Sequence, residues 1–535
     1  MGFGRLVRHG AVAAGAGLLA AACSGSTPKT TAGATAAATA ASSSSPASAA
    51  TGSTDSKCGT AKLRVGLDTD PVQIDPTQLP QTLGAYTLID SVYDTLAEYV
   101  DGKPSPRLAT SWTESADRLG WTIKIRKGVT FTDGTPVTAA AVKQNLNQQR
   151  VSTVNGVALS NLSFLDAPDD ETLTIRTKTP WSAFPHVLTQ FYTAVIAPAA
   201  LTGADLARKP IGSGPYILTD WKPNDRLLLT CNDKYWGPKA KVASIEFRFI
   251  PDETARVAAL KAGDIDASWL LLKDSIEAAQ RDKSLATFRG PYAGQSNTLF
   301  NNTVAPLDDV RVRTALVKAI DRDALNKAFG TPGSEIAFGP FAKDHPWFVK
   351  TDYPTYDVAG AKKLIAEYSA ANGGKPVSVT YSYTAGNNQL IDDVVAAIKQ
   401  AWEAVGVQVK LDKQVDGTAF VTQVVLGNYQ AAGFVGGMAP DPDLTLFNSF
   451  HQLGAFNFER FKNAELSNLL DKGRQAASEA ERREAYAAAA VIIGREVPIA
   501  FGTFGGSWVA VSPKVTGMDQ FKTFVFPTRY VGLSA

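Results

Sequence analysis

At 535 residues the chain exceeds what one hydrophobic core serves, about 250–300 residues, so two or more domains are expected. Its residues are 44% hydrophobic and 19% charged, which describes a globular body and excludes a wholly disordered one. Arg5 and Arg8 account for the formal net charge of +2, because residues 1–22 carry no Asp or Glu. The neutral remainder gives no electrostatic ground for nucleic acid or an anionic membrane surface as partner.

Residues 1–22 read as an export signal: a basic start at Arg5 and Arg8, then the uncharged, small-residue run Ala11–Ala22. That run is shorter than the roughly 20 apolar residues that span a bilayer. Cys23 follows Ala20, Ala21 and Ala22 directly, which resembles a lipobox, with Leu19 one place early and Ala20 in the usual Leu position. Acylation of Cys23 would anchor the mature chain; ordinary cleavage after an A-x-A is the other reading. Residues 23–56 continue as a Ser/Thr/Ala/Gly tract whose only charges are Lys29 and Asp55, expected to be a flexible tether. Signal, cysteine and tether together place the folded body outside the cytoplasm. Cys58 and Cys231 remain, either bridged or as two buried thiols.

Within the body, Leu63–Leu67, Trp121–Ile125, Leu173–Ile175, Leu227–Thr230 and Ile245–Ile250 alternate or run apolar as strands, and Thr254–Ala262 is a helix. Asp308-Asp309 offers a cap for a helix carrying Val312, Leu316, Ala319 and Ile320. Asp357 opens another, with Ala361, Leu364, Ile365 and Tyr368 on one face. Val377, Val379, Tyr381 and Tyr383 alternate as a strand. Leu390, Ile391, Val394, Ile398 and Trp402 form an amphipathic helix ending at Gly406, and Val407, Val409 and Leu411 alternate again. This is a βαβ unit with parallel strands. Ligands bind beyond the carboxyl ends of such strands, which points to a cleft lined by Thr384–Asn388 and by Gly436–Asp443 after the strand Gln430–Val435.

Enzyme chemistry finds little support. His9, His186, His345 and His451 are not paired at metal-ligand spacing. Ile211-Gly212-Ser213-Gly214 lacks the first glycine of a nucleophile elbow, and Gly374-Lys375 is followed by Pro376, so no P-loop is present. Helix capping explains Asp308-Asp309 and Asp392-Asp393 better than catalysis, and a turn explains Asp441-Pro442-Asp443. The chain reads as no enzyme, with no cofactor and no metal.

Five motifs in order carry a family resemblance. They are Arg126–Phe131 with Asp133–Pro136 (R-x-G-V-x-F-x-D-G-x-P), Pro210–Tyr216 (P-x-G-[ST]-G-P-Y), Asn232–Trp236 (N-x-x-Y-W), Ala258–Asp266 (A-L-x-x-G-x-I-D), and Asp309–Arg313 with Ala319–Arg322 (D-V-R-V-R…A-I-D-R). The chain resembles the extracellular solute-binding proteins of the peptide/nickel class, family 5, over nearly the whole mature body. Physically these motifs set turns and core contacts and touch no ligand. The resemblance implies an α/β, two-lobed periplasmic-binding-protein-like fold (type II, large peptide-binding class) with an inserted subdomain. Lobe 1 would comprise 57–92, 209–296 and 498–535, the insert 93–208 and lobe 2 297–497. It implies delivery of a small-molecule or peptide ligand to ABC transporter permease subunits by a monomer held on the membrane through its lipid anchor. The alternative is the same scaffold serving envelope assembly or signalling without transport.

The resemblance leaves the ligand open. Peptide-binding members hold the ligand's ammonium with an Asp where Met438 stands, and dipeptide binders place an Arg for the carboxylate where Ala385 stands. Burying a ligand charge without its partner costs about 3–5 kcal/mol. Either Asp441 or Asp443 replaces the missing Asp, or the ligand is not a zwitterionic short peptide. An uncharged or sugar-like ligand stacked on Phe434, Tyr381 or Tyr383 fits such a cleft.

Overall fold

In the computed structural model, strand β1 (Lys62–Leu67) buries Leu63, Val65 and Leu67 and leads to helix α1 (Leu83–Val92), whose cap is the Thr82 hydroxyl. The structure describes residues 57–535 apart from 72, 79–81, 153–154, 202, 204, 385–388, 438 and 535. The export signal, Cys23, the tether, Ala385 and Met438 therefore lie outside the described residues. A four-stranded antiparallel sheet follows: β2 (Ala109–Glu114), β3 (Gly120–Ile125), β4 (Leu162–Asp169) and β5 (Thr172–Thr177), in spatial order β2-β3-β5-β4. The chain returns to β1 through β6 (Tyr216–Lys222), β7 (Arg226–Cys231) and β8 (Ser244–Phe249), the last parallel to β1. Helix α2 (Glu253–Ala262) begins at the Asp252 cap and stops at Gly263, whose φ of 77° suits a residue without Cβ. Strand β9 (Ala267–Leu270) again runs parallel to β1. Cys58 and Cys231 are joined as a disulfide with Cα atoms 6.3 Å apart.

The long strand β10 (Ala286–Phe300) leads into the second half. There α3 (Val310–Lys318) is capped by Asp309 and α4 (Val358–Ala371) by Asp357. Strand β11 (Val377–Thr384), helix α5 (Gln389–Glu403) and strand β12 (Val407–Gln414) form the βαβ unit, with Val377 opposite Val407 in parallel register. Strand β13 (Ala431–Gly437) lies parallel to β11 on its other side. Helices α6 (Ala464–Gln475) and α7 (Glu479–Glu496) precede the last long strand, β14 (Ile499–Val511); a reciprocal Ser478–Glu481 capping box starts α7.

One eleven-stranded sheet runs through both halves in the order β12-β11-β13-β10-β14-β9-β1-β8-β7-β6, with the short strand Glu335–Ile336 attached to β14. It serves two large apolar cores and a smaller cluster around Leu260, Leu270, Trp508 and Ala510. The first joins Leu63, Val65 and Phe247 to Ile123, Trp181 and Phe184 of the insert; the second gathers Leu316, Val379, Tyr381, Ile398 and Trp402. Among the described strands, only β10 and β14 reach both. Ala286 and Phe288 pack on the first core and Leu299 and Phe300 in the second, with register shifts between Arg289 and Asn297. Ile499, Phe501 and Phe504 belong to the second core, and Val509 and Val511 to the first. Along β14 the packing thus passes from the second core to the first between Phe504 and Val509.

Candidate functional site

The carboxyl ends of β11, β12 and β13 lie side by side, since all three are parallel. The segment leaving β13 runs through Asp441-Pro442-Asp443 into a short helical turn, Asp443–Phe447. Phe434 on β13 is half-buried and meets Phe458 edge-on at 5.6 Å, with Phe456 6.0 Å beyond. It is the aromatic among the expected ligand contacts that keeps part of its surface open.

Tyr381 and Tyr383, expected from the sequence as stacking surfaces, are turned into the protein. Both are buried in the second core. Tyr381 packs on Trp402 at 5.6 Å and pairs its hydroxyl with Thr298 at 3.1 Å; Tyr383 donates to Asp392 at 2.9 Å. The reason is strand periodicity: Val377, Val379, Tyr381 and Tyr383 share one face, and α5 covers it.

Asp441 and Asp443, expected as partners for a ligand amine, are each paired with an Arg. Asp443 is 0% exposed and accepts from Arg474 Nε at 2.9 Å and Nη2 at 3.0 Å, Trp181 Nε1 at 2.9 Å and the Tyr486 hydroxyl at 3.2 Å. Burial works against its charge, yet the Arg474 guanidinium and these donors hold it below the ordinary carboxylate value. Asp441 accepts twice from Arg482 Nη2, at 2.7 and 2.9 Å, and once from the Asp443 amide at 2.9 Å. His186 Nε2 stands 3.3 Å from it, and burial lowers the pKa of that imidazole in spite of the nearby carboxylate. Trp181, His186, Arg474, Arg482 and Tyr486 were not legible as one site. They come from two distant stretches, 181–186 and 474–486, and the local signal is an Arg on the buried face of α6.

The family motifs converge elsewhere. Asp94, wholly buried after α1, accepts from Arg107 Nε, Ser213 Oγ and Trp236 Nε1, each at 2.9 Å, from Tyr235 at 3.3 Å, and lies 3.1 Å from Arg529 Nη2. Gly212 and Gly214 lie so close to the Val92 carbonyl that a Cβ at either would collide with it. Arg313 bonds the carbonyls of Leu307, Glu496 and Val497, and Arg322 those of Ala337, Pro354 and Phe501. These are scaffold roles, as the residue types implied. Among the described residues the grouping close enough to hold a metal is Cys58, Cys231 and Asp233, and its two sulfurs are bonded to each other.

The profile of the bacterial extracellular solute-binding proteins, family 5 Middle, matches residues 103–457. The chain belongs to that family. This solute-binding protein is 29% identical over 417 residues to the glutathione-binding protein GsiB of Escherichia coli O1:K1, a match covering 73% of this chain and 78% of the relative. Among solved structures, the periplasmic binding protein DppA of Helicobacter pylori in complex with the peptide STSA superposes with a TM-score of 0.80 at 23% identity. That match covers 90% of this chain and 99% of DppA. AgaA of A.tumefacien R10 in complex with agropinic acid also gives 0.80, at 25% identity, covering 89% of this chain and 99% of AgaA. The fold is the two-lobed one of periplasmic peptide-binding proteins, with the long shared sheet described above.

Proposed function

We infer that this chain is the solute receptor of an ABC importer, without catalytic activity of its own. It would be exported, held on the membrane by acylated Cys23 through the tether, and would hand its ligand to permease subunits. The lobes follow the two cores: 57–92, 209 to about 290, and about 507 onward as lobe 1 with its insert 93–208, and the intervening stretch as lobe 2. The observation that carries the reading is the pair of long strands, β10 and β14, that alone connect two cores within one sheet. Two such crossings form a hinge, and a ligand contacting both lobes selects the closed form.

Relatives named for glutathione, a peptide and agropinic acid support an amino-acid-derived or peptide-sized solute. Two features favour one without a free ammonium at the cleft loop. Met438 replaces the family's Asp, and the two carboxylates of Gly436–Asp443 are already held by Arg482 and Arg474. A thioether cannot offset desolvation of a cation but packs well on apolar groups. Mass spectrometry of ligand released from the purified protein identifies the solute directly. Calorimetry is expected to show weak or no binding of free di- and tripeptides, and Met438→Asp to strengthen binding of ligands with a free amine. Tight binding of ordinary dipeptides by the unmodified protein would overturn the ligand reading while leaving the transport reading standing.

A further inference from the structure

The Asp441–Asp443 segment does more than turn the chain after β13. Leu444, next to Asp443, packs in the first core, while Leu446 and Phe447 pack in the second. At this seam the insert grips the second half through groups that no local pattern connects. Trp181 donates to the Asp443 carboxylate at 2.9 Å. The Ser182 amide and hydroxyl both donate to the Arg474 carbonyl, at 3.0 and 2.9 Å. Arg118 spreads its guanidinium over the end of α6, donating to the Gln475 carbonyl at 2.8 Å and the Ala476 carbonyl at 2.7 Å. A cation there satisfies carbonyls that the helix leaves free and complements its dipole. Arg118 holds a left-handed backbone, φ 57°, which a residue with a Cβ adopts at a cost unless its surroundings demand it.

All of these contacts join the insert, built on the first core, to the loop and helix on the far side of the hinge. We propose that Arg118, Trp181 and Ser182 are positioning residues for solute binding: they dock Asp443 and the α6 terminus onto the insert, so that these bonds hold the lobes in the closed form. The inference rests on the receptor reading. It extends that reading by placing control of affinity at residues outside the expected ligand contacts. A protein that closes more readily before ligand arrives pays less of the ligand's binding energy for closure, and its apparent affinity rises accordingly.

The test uses ligand-free protein, stripped by unfolding and refolding, so its outcome does not depend on the identity of the solute. Small-angle X-ray scattering or single-molecule distance measurement across the hinge gives the closed-to-open ratio. Loss of one charge-assisted bond is expected to change that ratio by about tenfold or more. Arg118→Ala should shift the ensemble strongly toward open, Arg118→Lys should restore part of the closed fraction, and Trp181→Phe, which removes the indole N–H donor together with part of the buried ring, should shift it by a smaller step. Arg64→Ala serves as control, because its ion pair with Asp266 at 2.7 Å lies within lobe 1; it should leave the ratio unchanged. Should Arg118→Ala fail to fold, Trp181→Phe and Ser182→Ala carry the same comparison. An unchanged ratio in the interlock variants, or an equal shift in Arg64→Ala, overturns the proposal, and either result leaves the receptor reading intact.

Discussion

Glu459 stands out among the side chains because its carboxyl is buried with Oε2 lacking any hydrogen-bond partner among the described residues. Burial pushes its pKa up to about 8 from an ordinary 4.5. The unfolded chain ionises this group first, so stability falls as pH rises from about 4.5 to about 8 and loses nothing further above that value. Glu459→Gln cannot ionise, and it is expected to flatten this part of the profile. Denaturant midpoints at pH 5 and pH 8.5 should converge in the variant, with a gain of a few kcal/mol, on the order of 1.4 per unit of removed shift; equal pH dependence in both proteins would refute the assignment. Nothing in the sequence around Glu459 announces this state, because a lone Glu between Phe458 and Arg460 reads as a solvated loop residue. Arg313 and Arg322 show the opposite case: the motif marked them, and the structure gives the reason in the backbone carbonyls that they bind.

Among the elements, the disulfide does the most for its length of chain. Cys58 lies four residues before β1 and Cys231 ends β7, so the bond fixes the entry of the chain to the far side of the first sheet, beside the Gly59 amide on the Ala240 carbonyl at 3.0 Å. It closes a loop with a sequence separation of 173. Replacing both cysteines by Ser is expected to cost about 2–5 kcal/mol in denaturant unfolding. Titration of the unreduced, denatured protein should find no thiol from this pair; two would rule out the bond. Helices and strands themselves were mostly legible. Asp309 and Asp357 cap α3 and α4, the β11–α5–β12 unit is parallel, and Gly263 ends α2, because caps, glycines and apolar spacing act within a few residues of one another. The roles of Tyr381 and Tyr383 were not: alternation placed them on one face, and only the position of α5 decided that this face was core.

For the whole molecule, the proposed attachment makes a direct prediction. Cys23→Ser is expected to release the protein into the medium or periplasm, with loss of the lipid mass from the mature chain. Retention of the variant in the membrane fraction, together with an unlipidated wild type, would refute the anchor. No helix among the described residues is long and apolar enough to cross a membrane. By itself the sequence determined the class of fold, the family and the parallel unit that lies beside the cleft, since composition, periodicity and turn residues are local and survive without knowledge of the partner. Only the tertiary structure decided where β14 crosses between cores and that Asp441 and Asp443 are already paired. It alone brought Trp181 against Asp443, and Ser182 and Arg118 against a helix end, each more than two hundred residues away. Charge pairing and helix-end capping depend on distance in space, and a chain folded around two cores makes that distance independent of distance along the sequence.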